Sequence, residues 1–246
     1  MFSLNKNKTS EKVAEICVGK ADTAIRLEGY DRLKDNVLYM NADGKTKVFQ
    51  IESSVAGEGK TTVAGNLAVS LGLTYKKVIV VDLDFRRSRL HRLFGISKET
   101  GIADYFLGNA TLEDITKDSG YKNVDVITCG LEVHNPALIL VSDKFKALIA
   151  ELKEKYDYVL LDCAPVLLVS DYIHISKVSD GVLFMVAHAS TTKKQVAEAV
   201  KELRKNGANI LGSVFTMYDN KKDKDFYGYG SYYKYQRDAR YYDEDN

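Results

Sequence analysis

The chain has 246 residues, of which 45% are hydrophobic and 28% charged, enough for one α/β domain with a sizeable core. The formal net charge of +1 gives no strong field toward polyanions, so no nucleic-acid partner is expected. Three cysteines (Cys17, Cys129, Cys163) without Cys-x-x-Cys spacing exclude a disulfide framework or zinc site and suit a reducing cytoplasm.

In chain order, the opening Met-Phe-Ser-Leu-Asn-Lys-Asn-Lys lacks the apolar stretch of a signal peptide. Residues 1–20 are polar and mixed, and read as a loosely held arm. Over residues 22–39, Ile25, Leu33 and Val37 fall near helical spacing, with Gly29 weakening the pattern. A turn at Asn41–Lys45 precedes the apolar run Val48-Phe49-Gln50-Ile51, a buried strand. A glycine-containing loop follows, and then the helix start Val63-Ala64-Gly65-Asn66-Leu67-Ala68. Val78–Val81 is a second strand, apolar without alternation and therefore covered on both faces, ending at Asp82-Leu83-Asp84.

Residues 98–120 read as short helical pieces around Tyr105-Phe106-Leu107, and Val124–Thr128 as a third strand. Asp143–Lys155 alternates charge with Phe145, Leu148, Ile149 and Leu152, an amphipathic helix. Tyr158–Leu161 is a fourth strand ending at Asp162, and Val182–Val186 a fifth. A helix capped at Thr191 runs to Lys205 and stops at Asn206-Gly207, and Ile210–Met217 is the last strand. Alternating strands and helices over residues 21–218 predict a doubly wound, mostly parallel sheet, with ligands beyond its strand C-termini. No apolar run reaches bilayer length, so membrane association is expected only through a partner. Residues 219–246 hold seven tyrosines, seven acidic and six basic residues, with almost no aliphatic side chain. Such a composition predicts a disordered tail.

The chemistry concentrates in Ser53–Thr62, Ser-Ser-Val-Ala-Gly-Glu-Gly-Lys-Thr-Thr, which fits the phosphate-loop spacing with Ser54 in the first glycine position. Over Ala56, Gly57, Glu58, Gly59, Lys60, Thr61 and Thr62, backbone N–H groups can turn inward around phosphate oxygens, helped by the missing Cβ at Gly57 and Gly59. The following helix adds its free N–H groups, Lys60 supplies a charge for the β- and γ-phosphates, and the Thr61 hydroxyl can ligate Mg²⁺. Asp162 has the form of the strand-tip carboxylate that reaches Mg²⁺ directly or through water. Asp82 and Asp84 share a face if strand geometry continues, so one could serve the metal and the other the nucleophile. The four histidines show no ligand spacing, and Cys163 reads as a small buried hydrophobe. Arg86 and Arg87 fit either a phosphate contact or a solvated face.

The loop, the run Val78-Ile-Val-Val-Asp82-Leu-Asp84-Phe-Arg86-Arg87, the run Val159-Leu-Leu-Asp162-Cys-Ala-Pro165 and the terminal tyrosines together resemble the bacterial protein-tyrosine kinases (BY-kinases). The likeness is to the cytoplasmic capsule-synthesis type of Gram-positive bacteria, P-loop proteins related to the MinD/ParA ATPases. Gly130, Asn135-Pro136 and Ser179-Asp180-Gly181 are further marks. The resemblance implies a tyrosine autokinase that uses ATP and Mg²⁺ and regulates capsule or exopolysaccharide synthesis. It implies catalytic roles for Lys60, Asp82, Asp84 and Asp162, with Asp82 at the acceptor hydroxyl and Thr61, Asp84 and Asp162 near Mg²⁺. The implied acceptors are Tyr227, Tyr229, Tyr232, Tyr233, Tyr235, Tyr241 and Tyr242.

The implied partners are a transmembrane polysaccharide co-polymerase-type adaptor, further copies of the chain in a ring, and a cognate phosphotyrosine phosphatase. The location implied is cytoplasmic, peripheral at the membrane through the adaptor. The sequence departs from the family pattern at Ala56 (usually Pro), at Cys163-Ala164 (usually Thr-Pro) and at Thr216 (often an Asn near adenine). It departs also in the ring-forming Glu-x-x-Arg-x-x-Arg, where Glu28, Asp31 and Lys34 stand. A MinD/ParA-like ATP switch and a non-catalytic ATP-binding scaffold are the alternative readings.

Overall fold

A computed structural model describes residues 15–18, 24–188 and 190–218, leaving aside the side chains of residues 24–26. The elements run α1 (Ala24–Met40), β1 (Val48–Ser53), α2 (Lys60–Gly72), β2 (Val78–Asp82), α3 (Leu90–Phe94), α4 (Ile102–Leu107), α5 (Leu112–Ile115) and β3 (Thr116–Asp118). They continue β4 (Val124–Ile127), α6 (Pro136–Leu140), α7 (Asp143–Lys155), β5 (Tyr158–Asp162), α8 (Tyr172–Ile175), β6 (Gly181–Ala187), α9 (Lys193–Lys205) and β7 (Ile210–Thr216). The seven strands form one sheet in the order β3-β4-β2-β5-β1-β6-β7. Every pairing is parallel except β3 against β4. The phosphate-loop fold expected from the alternation is therefore present.

Alternation within the central strands feeds cores on both faces. Phe49, Ile51, Val78, Val80 and Leu160 pack with α2 residues such as Leu67 and Leu71. Val48, Ile79, Val81, Val159 and Leu161 pack with Phe145, Leu148, Ile149 and Leu152 of α7. A third cluster seats Ala199 and Leu203 of α9 on Val182 and Phe184. Asp180 pins the lower end of β1: its carboxylate accepts from the backbone N–H groups of Lys47 and Val48, both at 2.8 Å, and pairs with Lys153. That gives the Ser-Asp-Gly sequence a structural job.

Three features differ from the expectations. Residues 15–18 were expected within the loose arm, yet Ile16, Cys17 and Val18 are buried. Asn66, inside α2, holds them: its Oδ1 accepts from the N–H groups of Cys17 (2.8 Å) and Val18 (3.2 Å), and its Nδ2 donates to the Glu15 carbonyl (2.9 Å). The stretch 98–120 contains the helices α4 and α5 but ends in the antiparallel edge strand β3. Thr192 caps the helix placed after Thr191, its hydroxyl accepting from the Gln195 N–H. The tail tyrosines and the remainder of the arm lie outside the described residues.

Candidate active site

The loop after β1 crosses the C-terminal edge of the sheet and enters α2 at Lys60. Gly57 (φ +85°) and Gly59 (φ +89°) both take the left-handed backbone that L side chains rarely adopt. Those two positions give the loop the backbone turn that would let its N–H groups face a bound phosphate. Lys60 is largely buried and donates through Nζ to Ser53 Oγ (2.9 Å), and the Ser53 hydroxyl donates to the Val55 carbonyl (2.9 Å). The Glu58 side chain turns inward: its carboxylate accepts from the Val55 N–H (2.6 Å), the Ala187 N–H (3.5 Å) and the Thr191 hydroxyl. Glu58 therefore offers phosphate only its backbone N–H, while its carboxylate ties the loop to β6. Thr216 closes the far side, its hydroxyl donating to the Glu58 carbonyl (2.7 Å).

The segment after β5 is stitched to the same loop. Val166 and Leu167 donate through their N–H groups to the carbonyls of Ser53 (2.9 Å) and Ser54 (3.1 Å). Asp162 pairs in register with Ile51 on one side and Asp82 on the other. Parallel register puts the Asp82 and Asp162 side chains on one face of neighbouring strands, about 4.8 Å apart. Asp162 is buried, and both of its carboxylate oxygens lack a hydrogen-bond partner, as does the Ser54 hydroxyl. Burial first, and then repulsion from Asp82, push the Asp162 carboxyl well above the usual range, with Thr61 and Lys60 holding it partly down.

Asp82 is completely buried. It accepts from the Ser88 hydroxyl (2.7 Å), the Asp84 N–H (3.2 Å) and the Leu90 N–H (3.3 Å). Its pKa is likewise raised, chiefly by burial. Val81, Leu83 and Phe85 share one core cluster, so Asp82 and Asp84 fall on the opposite side, as alternation predicted. Asp84 is only half-buried and accepts from the Arg87 N–H (2.9 Å). Arg86 is not a bare solvated group. It forms an ion pair with Asp171, which is 3% exposed, linking the loop after β2 to the segment after β5.

Two members of this neighbourhood were not singled out from the sequence. Ser88 carried no signal beyond its distance from Asp82. Glu52, on β1, is fully buried with one orphaned oxygen, and burial pushes its carboxyl up to about 8. It accepts from Gln50 Nε2 (2.8 Å). A polar residue inside an apolar strand run was the available sign.

Among the described residues, no three His, Cys, Asp or Glu side chains gather to hold a metal on their own. Mg²⁺ needs no such cluster, since it keeps waters and phosphate oxygens and takes one or two protein ligands. The orphaned oxygens of buried Asp162 beside Thr61 fit such an ion, and the glycine-shaped loop fits the phosphates. Thr61, Asp162 and the partly open Asp84 are the groups that would hold Mg²⁺, and the loop N–H groups with Lys60 those that would hold ATP. The ion would supply charge neutralisation across the β- and γ-phosphate oxygens.

A phosphate loop at the head of a parallel sheet, faced by two strand-tip carboxylates, defines a P-loop nucleotide-binding protein. The AAA-domain family model matches residues 46–212. The chain is 30% identical to tyrosine-protein kinase YwqD of Bacillus subtilis over 230 residues, 94% of this chain and 97% of that one. It superposes on the kinase domain of Escherichia coli tyrosine kinase ETK with a TM-score of 0.74 at 28% identity, covering 85% of this chain and 82% of that one. MinD of Pyrococcus horikoshii, solved with Mg-ADP, gives a TM-score of 0.58 at 27% identity over 68% of each chain. Some relatives are longer, and the chain spans 28% to 30% of their length. The chain belongs to the bacterial tyrosine-protein kinases, a branch of the P-loop ATPases, and is a tyrosine-protein kinase of that family.

Proposed function

We propose that the chain transfers the γ-phosphoryl group of Mg²⁺-bound ATP to tyrosines of its own C-terminal segment, Tyr227, Tyr229, Tyr232, Tyr233, Tyr235, Tyr241 and Tyr242. The observation that carries this reading is the buried, unpartnered Asp162 carboxylate beside the Lys60–Thr61 loop. Phosphoryl transfer needs positioning and charge neutralisation above all, and these groups supply both. In this reading Lys60 neutralises the β- and γ-oxygens. Thr61, Asp84 and Asp162 hold Mg²⁺, and Asp82 draws on the acceptor hydroxyl.

The wider setting follows the resemblance: control of capsule or exopolysaccharide synthesis, activation by a membrane adaptor of the polysaccharide co-polymerase type, self-association, and reversal by a phosphotyrosine phosphatase. Among the described residues no helix is long and apolar enough to cross a membrane. Self-association through α1 has less support. Glu28 pairs with Arg32, and Lys34 with Asp31 and Asp35, so the charges are matched within the helix.

The MinD-like switch reading predicts ATP hydrolysis without phosphotyrosine, and the scaffold reading predicts neither. Incubation of the full chain with ATP and Mg²⁺, with and without the cytoplasmic segment of an adaptor, separates them by phosphotyrosine immunodetection and release of inorganic phosphate. We expect phosphotyrosine on residues 219–246, and none in Lys60→Met folded to wild-type circular dichroism. Hydrolysis without phosphotyrosine in both conditions would replace this reading with the switch.

A further inference from the structure

The strand tips that carry the acids are joined twice. At the sheet, the Leu83 N–H donates to the Asp162 carbonyl (2.8 Å), so β2 and β5 end side by side. Beyond it the two chains part, and meet again where the Arg86 guanidinium forks onto the Asp171 carboxylate: Nη1 bonds Oδ2, and Nη2 lies 3.4 Å from Oδ1. Arg86 sits inside a turn that Asp84 closes, since the Arg87 N–H meets both the Asp84 carbonyl (3.2 Å) and Asp84 Oδ1 (2.9 Å). Phe85, in the same turn, enters the core with Cys163 and Ile175. The segment that leads to Asp171 is bonded to the phosphate loop, through the Val166 and Leu167 N–H groups on the Ser53 and Ser54 carbonyls. Arg86 and Asp171 therefore close a circuit from the Asp84 turn to the backbone of the phosphate loop.

The pair suits direction better than stability. Asp171 is 3% exposed and the Arg86 side chain 44%. Burying a carboxylate against one half-open guanidinium returns little net stability, whereas the planar fork fixes both distance and angle. Asp171 also stands at the N-cap position of α8, where an aspartate ordinarily accepts from the first helical N–H groups. Its carboxylate makes no such bond and is turned to Arg86 instead.

We propose that Arg86 and Asp171 are positioning residues of the kinase reaction: their ion pair fixes the Asp84 turn relative to the phosphate loop, and so sets where the Asp84 carboxylate stands. This rests on the reading that Asp84 serves Mg²⁺ bound with ATP. Neither member of the pair needs to touch the nucleotide. With the pair intact, Asp84 is presented from one fixed turn. With it broken, Phe85 still anchors the turn in the core, but the turn is free to pivot about that point. A shift on the order of 1 Å at a group that neutralises charge costs up to about 10² in rate without unfolding the chain. The pair also accounts for the spacing Asp84-Phe85-Arg86. Two residues after the acid, the arginine lies within the turn that the acid closes.

The test is a double-mutant cycle on the full-length protein: wild type, Asp171→Ala, Arg86→Met and the double variant, with Arg86→Lys beside them. Two quantities are read: single-turnover tail phosphorylation at saturating ATP and Mg²⁺, and ATP affinity by isothermal titration with and without Mg²⁺. Asp171→Ala is the milder single change, because it strands only a half-exposed guanidinium that water can solvate. Arg86→Met strands a buried carboxylate, and where it fails to fold, Asp171→Ala and Arg86→Lys carry the test. Asp171→Ala is expected to slow transfer by about 10- to 100-fold and to cut the affinity gained from Mg²⁺ by about threefold or more, with Mg²⁺-free ATP affinity within about threefold of wild type. The double variant should be no slower than the slower single. Arg86→Lys, which keeps the charge and loses the fork, should fall between wild type and Arg86→Met. A wild-type rate and Mg²⁺ effect in Asp171→Ala, or additive losses in the cycle, would overturn the positioning role. Loss of Mg²⁺-free affinity in Arg86→Met with none in Asp171→Ala would make Arg86 a phosphate ligand and overturn it too. Equal loss of rate, of both affinities and of melting temperature, unrelieved by Arg86→Lys, would show general structural support and likewise overturn it. The affinity arm needs no phosphotyrosine. If wild type makes none, with or without adaptor segment, the tail-kinase reading fails, and a weakened Mg²⁺ effect in Asp171→Ala still supports the pair.

Discussion

Asp82 and Asp162 are neighbours across one ladder, yet their surroundings give them different work. Asp162 has no hydrogen-bond partner, whereas Asp82 has three donors. On the proposed reading Asp162 is a cation ligand, so Asp162→Ala should weaken Mg²⁺-dependent ATP binding at least tenfold. Asp82→Ala should leave affinity within about threefold while suppressing transfer, by 10² or more if it serves as the acid–base group. Isothermal titration with and without Mg²⁺ checks the division, and equal losses of affinity would contradict it. Glu52 offers a separate test, in stability. Its carboxyl ionises near 4.5 when exposed and about 8 when buried, so the folded state holds the proton more tightly. Stability is therefore greatest below pH 4.5 as far as this group is concerned, and is lost as pH rises through 8. Glu52→Gln should flatten that decline and raise the unfolding free energy from urea denaturation at pH 8.5 relative to wild type, by an amount on the order of a few kcal/mol. A parallel decline in both proteins would show that Glu52 is already ionised at pH 6.

At the level of elements, α2 follows directly on the phosphate loop and clamps the chain that precedes α1. Gly65 makes room for the clamp, since a Cβ there would lie 2.9 Å from Ile16 Cδ1 and 2.4 Å from Leu93 Cδ2. Asn66→Ala would remove the side-chain acceptor of the buried Cys17 and Val18 N–H groups. It should cost about 2–3 kcal/mol and open the segment to exchange. Hydrogen exchange at residues 15–18 is the readout, and unchanged protection would refute the clamp.

The clamp was not legible in the sequence, because Ile16-Cys17-Val18 is too short an apolar run to stand out among polar neighbours. Strand β3 was hidden for a related reason: Thr116-Lys117-Asp118 is polar and held by backbone pairing to β4, which composition does not record. By contrast, β1, β2, β5 and β6 announced themselves, since strands covered on both faces must be apolar throughout. The helix Asp143–Lys155 was legible to the residue because Ser142 caps it and its buried face repeats at helical spacing. At the site, residue types and spacing were enough to identify the loop and the strand-tip acids. The inward turn of Glu58, the Arg86–Asp171 pair and the Ser88 bond depend on side-chain direction across long sequence separations, which no local pattern encodes.

For the whole molecule, the question is whose site modifies the tail. The chain leaves β7 after Thr216 and its last described residue is Tyr218; β7 ends at the same sheet edge as the phosphate loop, four strand spacings from β2, about 19 Å. Tyr227 is nine residues beyond Tyr218, and nine residues span at most about 30 Å. Length therefore permits a chain to reach its own site, and the choice rests on effective concentration. In an assembly that sets one copy's tail beside another's loop after β2, transfer between copies is favoured without any new contact. The tail carries seven acidic against six basic residues, so it begins close to neutral. Each phosphate adds about −1.5 to −2 charges. Several would make the segment strongly anionic and repel it from the acidic strand ends at Asp82, Asp84 and Asp162. Mutual phosphorylation followed by dissociation is the expected sequence of events. Mixing a Lys60→Met chain with an active chain lacking residues 219–246 tests the first step, since the only tail present belongs to the inactive copy. Phosphotyrosine on the Lys60→Met chain is expected, and its absence, with the truncated chain shown competent on a tail peptide, would establish transfer within one copy. Light scattering on the full-length protein before and after ATP tests the second step. A mass that stays constant as phosphate accumulates would separate modification from disassembly.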